Sequence, residues 1–116
     1  MGRLTTHVLD TANGIPAAGL QLELWRLDPQ PVCLCRTTTN HDGRCDQPLL
    51  QGEQLLIGTY ELRFDLARYF HARGTLLADP PFLGIVPIRF AIADPQAHYH
   101  VPLLASPWAY STYRGS

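Results

Sequence analysis

Alternation of apolar and polar residues at every second position recurs along this chain and constrains the fold more than any other feature. Leu20, Leu22 and Leu24 alternate with Gln21 and Glu23. Tyr60, Leu62, Phe64 and Leu66 alternate with Glu61, Arg63 and Asp65, and Val86, Ile88, Phe90 and Ile92 repeat the pattern. A period of two gathers one set of side chains on one face of a strand, so each segment reads as a β-strand with one buried face. Turn-forming pairs punctuate these runs: Asn13-Gly14, Asp28-Pro29, Asp42-Gly43, Asp79-Pro80-Pro81 and Asp94-Pro95. The pattern predicts about eight strands, near residues 4–10, 19–28, 33–40, 47–51, 58–66, 85–93, 97–106 and 109–116. Only Leu66 to Gly74 reads as helix, with Gly74 as its stop. Short strands at this spacing make an all-β, two-sheet sandwich.

Composition narrows the function classes. A chain of 116 residues, 46% hydrophobic and 16% charged, is a single folded domain spanning 1–116 rather than a disordered segment. Its formal net charge of -1 supplies no field to gather nucleic acid or an anionic membrane, so neither is expected as a partner. No apolar run approaches the ~20 residues of a membrane-spanning helix. The opening Met1-Gly2-Arg3-Leu4-Thr5-Thr6-His7 lacks an apolar signal segment, so a cytoplasmic location is the expectation. Lysine is absent, which sets aside Schiff-base, pyridoxal-phosphate and P-loop chemistry. Cys33, Cys35 and Cys45 are an odd number, and Cys33 and Cys35 fall on one face of a strand; all three read as buried or half-buried free thiols.

The polar residues offer a few candidates for chemistry. None of Ser106, Ser111 and Ser116 lies in a Gly-x-Ser-x-Gly elbow. His98 and His100 share one face of a strand, at a spacing compatible with two metal ligands or an acid–base pair, and His7 lies in the first strand. Asn40-His41-Asp42-Gly43-Arg44 is a tight turn from which Arg44 emerges just past a rigid corner. Alternation continues through Tyr110, Ser111, Thr112 and Tyr113 almost to the terminus, giving an ordered last strand whose arginine and carboxylate have fixed places. On these residues alone, a metal hydrolase using His7, His98 and His100 and a small-ligand-binding module both remain open.

Leu4-Thr5-Thr6-His7-Val8-Leu9-Asp10, Tyr99-His100-Val101-Pro102-Leu103-Leu104-Ala105-Ser106-Pro107 and Tyr110-Ser111-Thr112-Tyr113 resemble the first, penultimate and last strands of the transthyretin family. That family divides into thyroid-hormone carriers and 5-hydroxyisourate hydrolases. The hydrolase branch is marked by a first-strand histidine, an arginine after the Asp-Gly turn, a histidine in the Tyr-His-Val-Pro-Leu-Leu stretch and a terminal Tyr-Arg-Gly-Ser. Here they stand as His7, Arg44, His100 and Tyr113-Arg114-Gly115-Ser116.

The resemblance implies a transthyretin-like sandwich of two four-stranded sheets with one short helix, assembled as a homotetramer, a dimer of dimers. It further implies a metal-independent hydrolase without cofactor, acting in urate degradation. Its small-molecule substrate would be opened to 2-oxo-4-hydroxy-4-carboxy-5-ureidoimidazoline by water adding at C6. His7, Arg44, His100 and Ser116 would be catalytic, and Tyr113, Arg114 and Gly115 would bind substrate. His98 would at most support them. The same fold serves a carrier without catalysis.

Overall fold

The structure, a computed structural model, describes residues 1–116. Nine strands and one α-helix, with a short 3-10 turn at Gly52–Gln54, follow in order: β1 (Arg3–Asp10), β2 (Ile15–Pro16), β3 (Gln21–Arg26), β4 (Val32–Thr38), β5 (Leu50–Gln51), β6 (Gly58–Asp65), α1 (Leu66–Ala72), β7 (Ile85–Ile92), β8 (His98–Ala105) and β9 (Tyr110–Thr112). They form a sandwich of two sheets. One runs β4-β3-β6-β7, antiparallel throughout, and the other runs β2-β1-β8-β9, with β5 also on β1. The first sheet has the expected four strands. The second gains a fifth because the chain doubles back after Asn13-Gly14 and pairs Ile15 and Pro16 with Asp10 and Leu9. The predicted strand at 47–51 shortens to two residues, and the predicted last strand regularly pairs only Tyr110–Thr112.

The alternation read from sequence is the alternation of burial. Leu22 and Leu24 of β3, Tyr60, Leu62 and Phe64 of β6, and Val86, Ile88 and Ile92 of β7 face Leu4 and Val8 of β1 and Tyr99, Val101 and Leu103 of β8 across one core. At ~25 cal/mol per Å² of apolar surface, each such buried side chain contributes about 1.5–3 kcal/mol before conformational entropy is counted. Helix α1 closes one end with Leu66, Tyr69 and Phe70. Its start is capped by Asp65, whose carboxylate accepts from Arg68 N, and Gly74 beyond its end takes a φ of 85°. The Tyr69 hydroxyl donates to buried Asp10 at 2.8 Å, tying the helix to the end of β1. Burial alone would raise the Asp10 pKa, but hydrogen bonds from Asn13 and Tyr69 outweigh it and hold the carboxylate below its usual range.

One polar position departs from its alternation. Glu61, on the outward face of β6, is only 6% exposed, because Arg63 and Arg89 lie over it. Those guanidiniums belong to a chain of contacts across four strands: Arg36 to Glu23, Glu23 to the Trp25 indole, Arg63 over the Trp25 ring at 4.2 Å, Arg63 to Glu61, and Glu61 to Arg89. The three cysteines are free and half-buried, and burial pushes the Cys45 thiol up to about 11.

The second sheet matters most for function. Strand β1 pairs in parallel with β8, setting Thr5 beside His100 and His7 beside Pro102. The opposite edge of β1 is covered piecewise, by β5 at Arg3 and Leu4, by Arg44 at His7, and by β2 at Leu9 and Asp10.

Candidate active site

Because β1 and β8 run parallel in register, their outward side chains form one surface: Arg3, Thr5 and His7 from β1, and His98 and His100 from β8. His7 and His100 are half-buried there, while His98 is exposed at the end of its strand. Each of the two inner histidines has one ring nitrogen committed. His7 Nε2 lies 2.8 Å from the Asp42 carbonyl oxygen, which can only accept, so Nε2 carries a proton and Nδ1 is the nitrogen left to take another. His100 Nδ1 lies 2.8 Å from the Thr5 hydroxyl, leaving Nε2 free. Partial burial lowers the His100 pKa, and the nearby charges of Arg44 and His7 lower it further, so the ring is neutral and basic near pH 7.

The 40–44 turn supplies both the His7 anchor and Arg44. Asn40 organises it: its side-chain oxygen accepts from Asp42 N at 2.9 Å and from Arg44 N at 3.2 Å, and its own backbone N donates to the Arg44 carbonyl. Gly43 has a φ of 76°, and a side chain there would strike the Val8 carbonyl that the turn packs against. Gly43 O in turn accepts from Val8 N at 2.8 Å, stitching the corner to the middle of β1. Arg44 thereby stands beside His7 with an exposed guanidinium that makes no ion pair within the chain. It borders a cavity of about 270 Å³ with Arg3, Thr5 and Asp46.

The C-terminus is fixed as the alternation predicted, though beyond β9 by one bridge rather than a ladder. Gly115 pairs with His100, its N–H donating to the His100 carbonyl at 2.7 Å. A Cβ on Gly115 would sit 2.5 Å from His100 Cδ2, so the imidazole packs on bare backbone. Ser116, one residue on, is exposed. Tyr113 and Arg114 border a groove of about 320 Å³ with Ile88, Phe90 and Tyr99, and the Arg114 guanidinium lies 4.4 Å over the Tyr99 ring. Tyr99 belongs to the core face of β8, opposite His100, so within one chain Arg114 is turned away from the histidines. The fold thus gathers His7, Arg44, His100 and Gly115, with Ser116 adjacent, and holds Arg114 on the far side of β8. The sequence motifs assign no role to Thr5 and include Asn40 only as the first residue of the turn. Thr5 lies two residues before His7 on the same strand face, and Asn40 opens an Asn-x-Asp-Gly turn; both signals were present.

A two-sheet sandwich with paired histidines and an unpaired arginine on one outer face defines a class, and comparison with known proteins identifies it. The HIUase/Transthyretin family model matches residues 4–115, and the chain belongs to that family. It is 58% identical to the 5-hydroxyisourate hydrolase of Pseudomonas aeruginosa, over 100% of this chain and 93% of that protein. Among solved structures it resembles Klebsiella pneumoniae 5-hydroxyisourate hydrolase, with a TM-score of 0.82 and 32% identity over the whole of both chains. It also resembles (S)-allantoin synthase, with a TM-score of 0.95 and 47% identity over 99% of this chain, which spans 44% of that longer one.

Proposed function

We propose that this chain hydrolyses 5-hydroxyisourate, a step of urate degradation. The observation that carries the chemistry is the pairing of His7 and His100 on one face, each with one nitrogen anchored and one free. Water is a weak nucleophile at neutral pH, so a base must take its proton as its oxygen bonds to C6 of the substrate. A neutral imidazole is suited to this, and such assistance is worth ~10²–10⁴-fold. Charge building on the C6 oxygen is stabilised by Arg44, whose guanidinium is not committed to any carboxylate of the chain. The N1–C6 bond then breaks with N1 as the leaving group, taking the proton from the imidazolium, and the C6 carboxylic acid releases its remaining proton to solvent to give the carboxylate of 2-oxo-4-hydroxy-4-carboxy-5-ureidoimidazoline. His7 and His100 share the proton movement, Ser116 orients the water or His100, and Tyr113, Arg114 and Gly115 complete the substrate pocket. No metal or cofactor takes part.

The assembly that goes with this reading is a homotetramer, a dimer of dimers. Strands β7 and β9 each have a neighbour on one side only, and Ile85, Trp108 and Tyr113 are exposed along or beside them. Open edges with exposed apolar groups favour pairing with a second copy. In such an assembly a neighbouring subunit's C-terminal segment can supply what Arg114, turned toward Tyr99 in its own chain, does not. The free, half-buried thiols favour the cytoplasm.

The test follows the ultraviolet decay of 5-hydroxyisourate, made in place from urate by urate oxidase, with and without the protein and with and without a chelator. Accelerated, chelator-insensitive decay is the expected result. Decay at the spontaneous rate from folded protein would move the function to carriage of a small aromatic ligand.

A further inference from the structure

The His100 ring is held on two sides, and its two holders lie far apart in the sequence. The Thr5 hydroxyl meets Nδ1 at 2.8 Å across 95 residues of sequence. On the terminal side Gly115 binds the His100 backbone and offers the ring a surface without a side chain, where a Cβ would come within 2.5 Å of Cδ2 and 3.1 Å of Cγ. A ring held at one nitrogen and along one edge has a single orientation. Thr5 is free for this task, because Thr6 rather than Thr5 ties β1 to β8 through the Val101 carbonyl, at 2.7 Å.

We propose that Thr5 is a positioning residue for the hydrolysis: its hydroxyl occupies His100 Nδ1 and so aims Nε2 at the substrate, with Gly115 as the backstop of the ring. The inference rests on the function given above but concerns a residue outside the set that the family resemblance marked. The physical reason for a hydroxyl at this place is that it serves both states of the ring. When His100 takes a proton at Nε2, Nδ1–H can only donate, and the Thr5 oxygen accepts; the contact survives the proton transfer without moving the imidazole. A valine of nearly the same shape keeps the strand and its packing but leaves Nδ1 without a partner. The charged and titratable groups that bear on His100 are Arg44 from the turn and His7 from β1, and Arg3 of β1 and His98 of β8 share its outer face. Thr5 adds no charge to that set, so its removal tests orientation and hydrogen bonding rather than field.

The experiment compares wild type, Thr5→Val, Thr5→Ser and Gly115→Ala, reading kcat and KM separately and following the His100 ring nitrogens by ¹⁵N NMR as pH is varied. Loss of such a supporting hydrogen bond typically costs roughly 10–100-fold in activity. In Thr5→Val kcat is expected to fall by that factor with KM nearly unchanged, and the His100 titration to move to lower pH because the protonated ring has lost its acceptor. Thr5→Ser is expected to restore both. Gly115→Ala is expected to displace the ring, lowering kcat and shifting the His100 signals with the hydroxyl still in place. Wild-type kcat and an unmoved His100 titration in Thr5→Val would overturn the proposal, as would failure of the serine variant to recover. If Thr5→Val does not fold, the Gly115→Ala shift and the wild-type Nδ1 signal still decide it: an Nδ1 resonance with no sign of a hydrogen bond overturns it. The NMR arm needs no substrate, so an inactive wild type would count against the function and leave the clamp separately tested.

Discussion

On the outer face of the β4-β3-β6-β7 sheet, Arg36, Glu23, Trp25, Arg63, Glu61 and Arg89 are joined end to end, and each guanidinium is matched to a carboxylate. On the outer face of the β1-β8 surface, Arg3 and Arg44 have no carboxylate partner, and His7 and His100 each keep a nitrogen unused. A cavity of about 630 Å³ lies over the first face, beside Glu23, Arg36 and Arg63, and one of only about 270 Å³ over the second, beside Arg44. Size therefore misleads here. Guanidiniums matched to carboxylates within the chain have their charge already offset, whereas unpaired ones on a folded scaffold keep theirs available for chemistry.

Variants can break or sharpen this contrast. The largest effect is expected at the histidines: His7→Ala or His100→Ala lowers kcat/KM by ~10²–10⁴-fold, with the unfolding midpoint nearly unmoved. Arg44→Gln comes next, with kcat reduced ~10²–10³-fold. The same variant changes the pH profile. His100 titrates below its usual 6.5, through burial first and Arg44 second, so kcat/KM in the wild type rises with pH through a midpoint under that value. Without the Arg44 charge the midpoint moves up, but not fully, because burial remains. For stability the sign is fixed too: a depressed histidine pKa means the folded state binds fewer protons, so this contribution is complete above about 6.5 and declines as pH falls toward the folded value.

On the other sheet the expectation reverses. Glu61→Gln leaves turnover within about twofold of wild type but costs roughly 1–3 kcal/mol in urea unfolding, because two guanidiniums lose a buried carboxylate. At the small end, Arg36→Ala, whose side chain is 71% exposed, is expected to move neither turnover nor the unfolding midpoint measurably. Loss of activity in Glu61→Gln without loss of stability would erase the distinction between the two faces.

Local patterns wrote most of this fold legibly. The period-two runs located β3, β6 and β7, and Gly74 marked the end of α1, because burial on one face and positive φ are properties of single segments. What stayed hidden depends on pairs of distant segments. The parallel partnership of β1 with β8 cannot be read from either strand alone. Glu61 reads as an ordinary outward residue until Arg89, on the next strand, is placed over it. Ile15–Pro16 is too short to show a period. For the site, His7, His100 and Arg44 were named from motifs, whereas Thr5 looks like any polar residue of a half-buried strand until His100 is set beside it. The orientation of Arg114 toward Tyr99 likewise requires the last strand in place.

The parallel pairing of β1 and β8 also sets an order of events in time. The ribosome delivers β1 first and its principal neighbour 95 residues later, and at ~5–20 residues per second that interval lasts roughly 5–20 s. Throughout it, the long edge of β1 is bare, Leu4 and Val8 lack their β8 neighbours Tyr99 and Leu103, and closing the gap requires ordering a loop of nearly the whole chain. The working face therefore forms only after β8 has emerged and Gly115 reaches His100. A message cut short anywhere before β8 would yield not a slower protein but an open strand edge waiting for another chain.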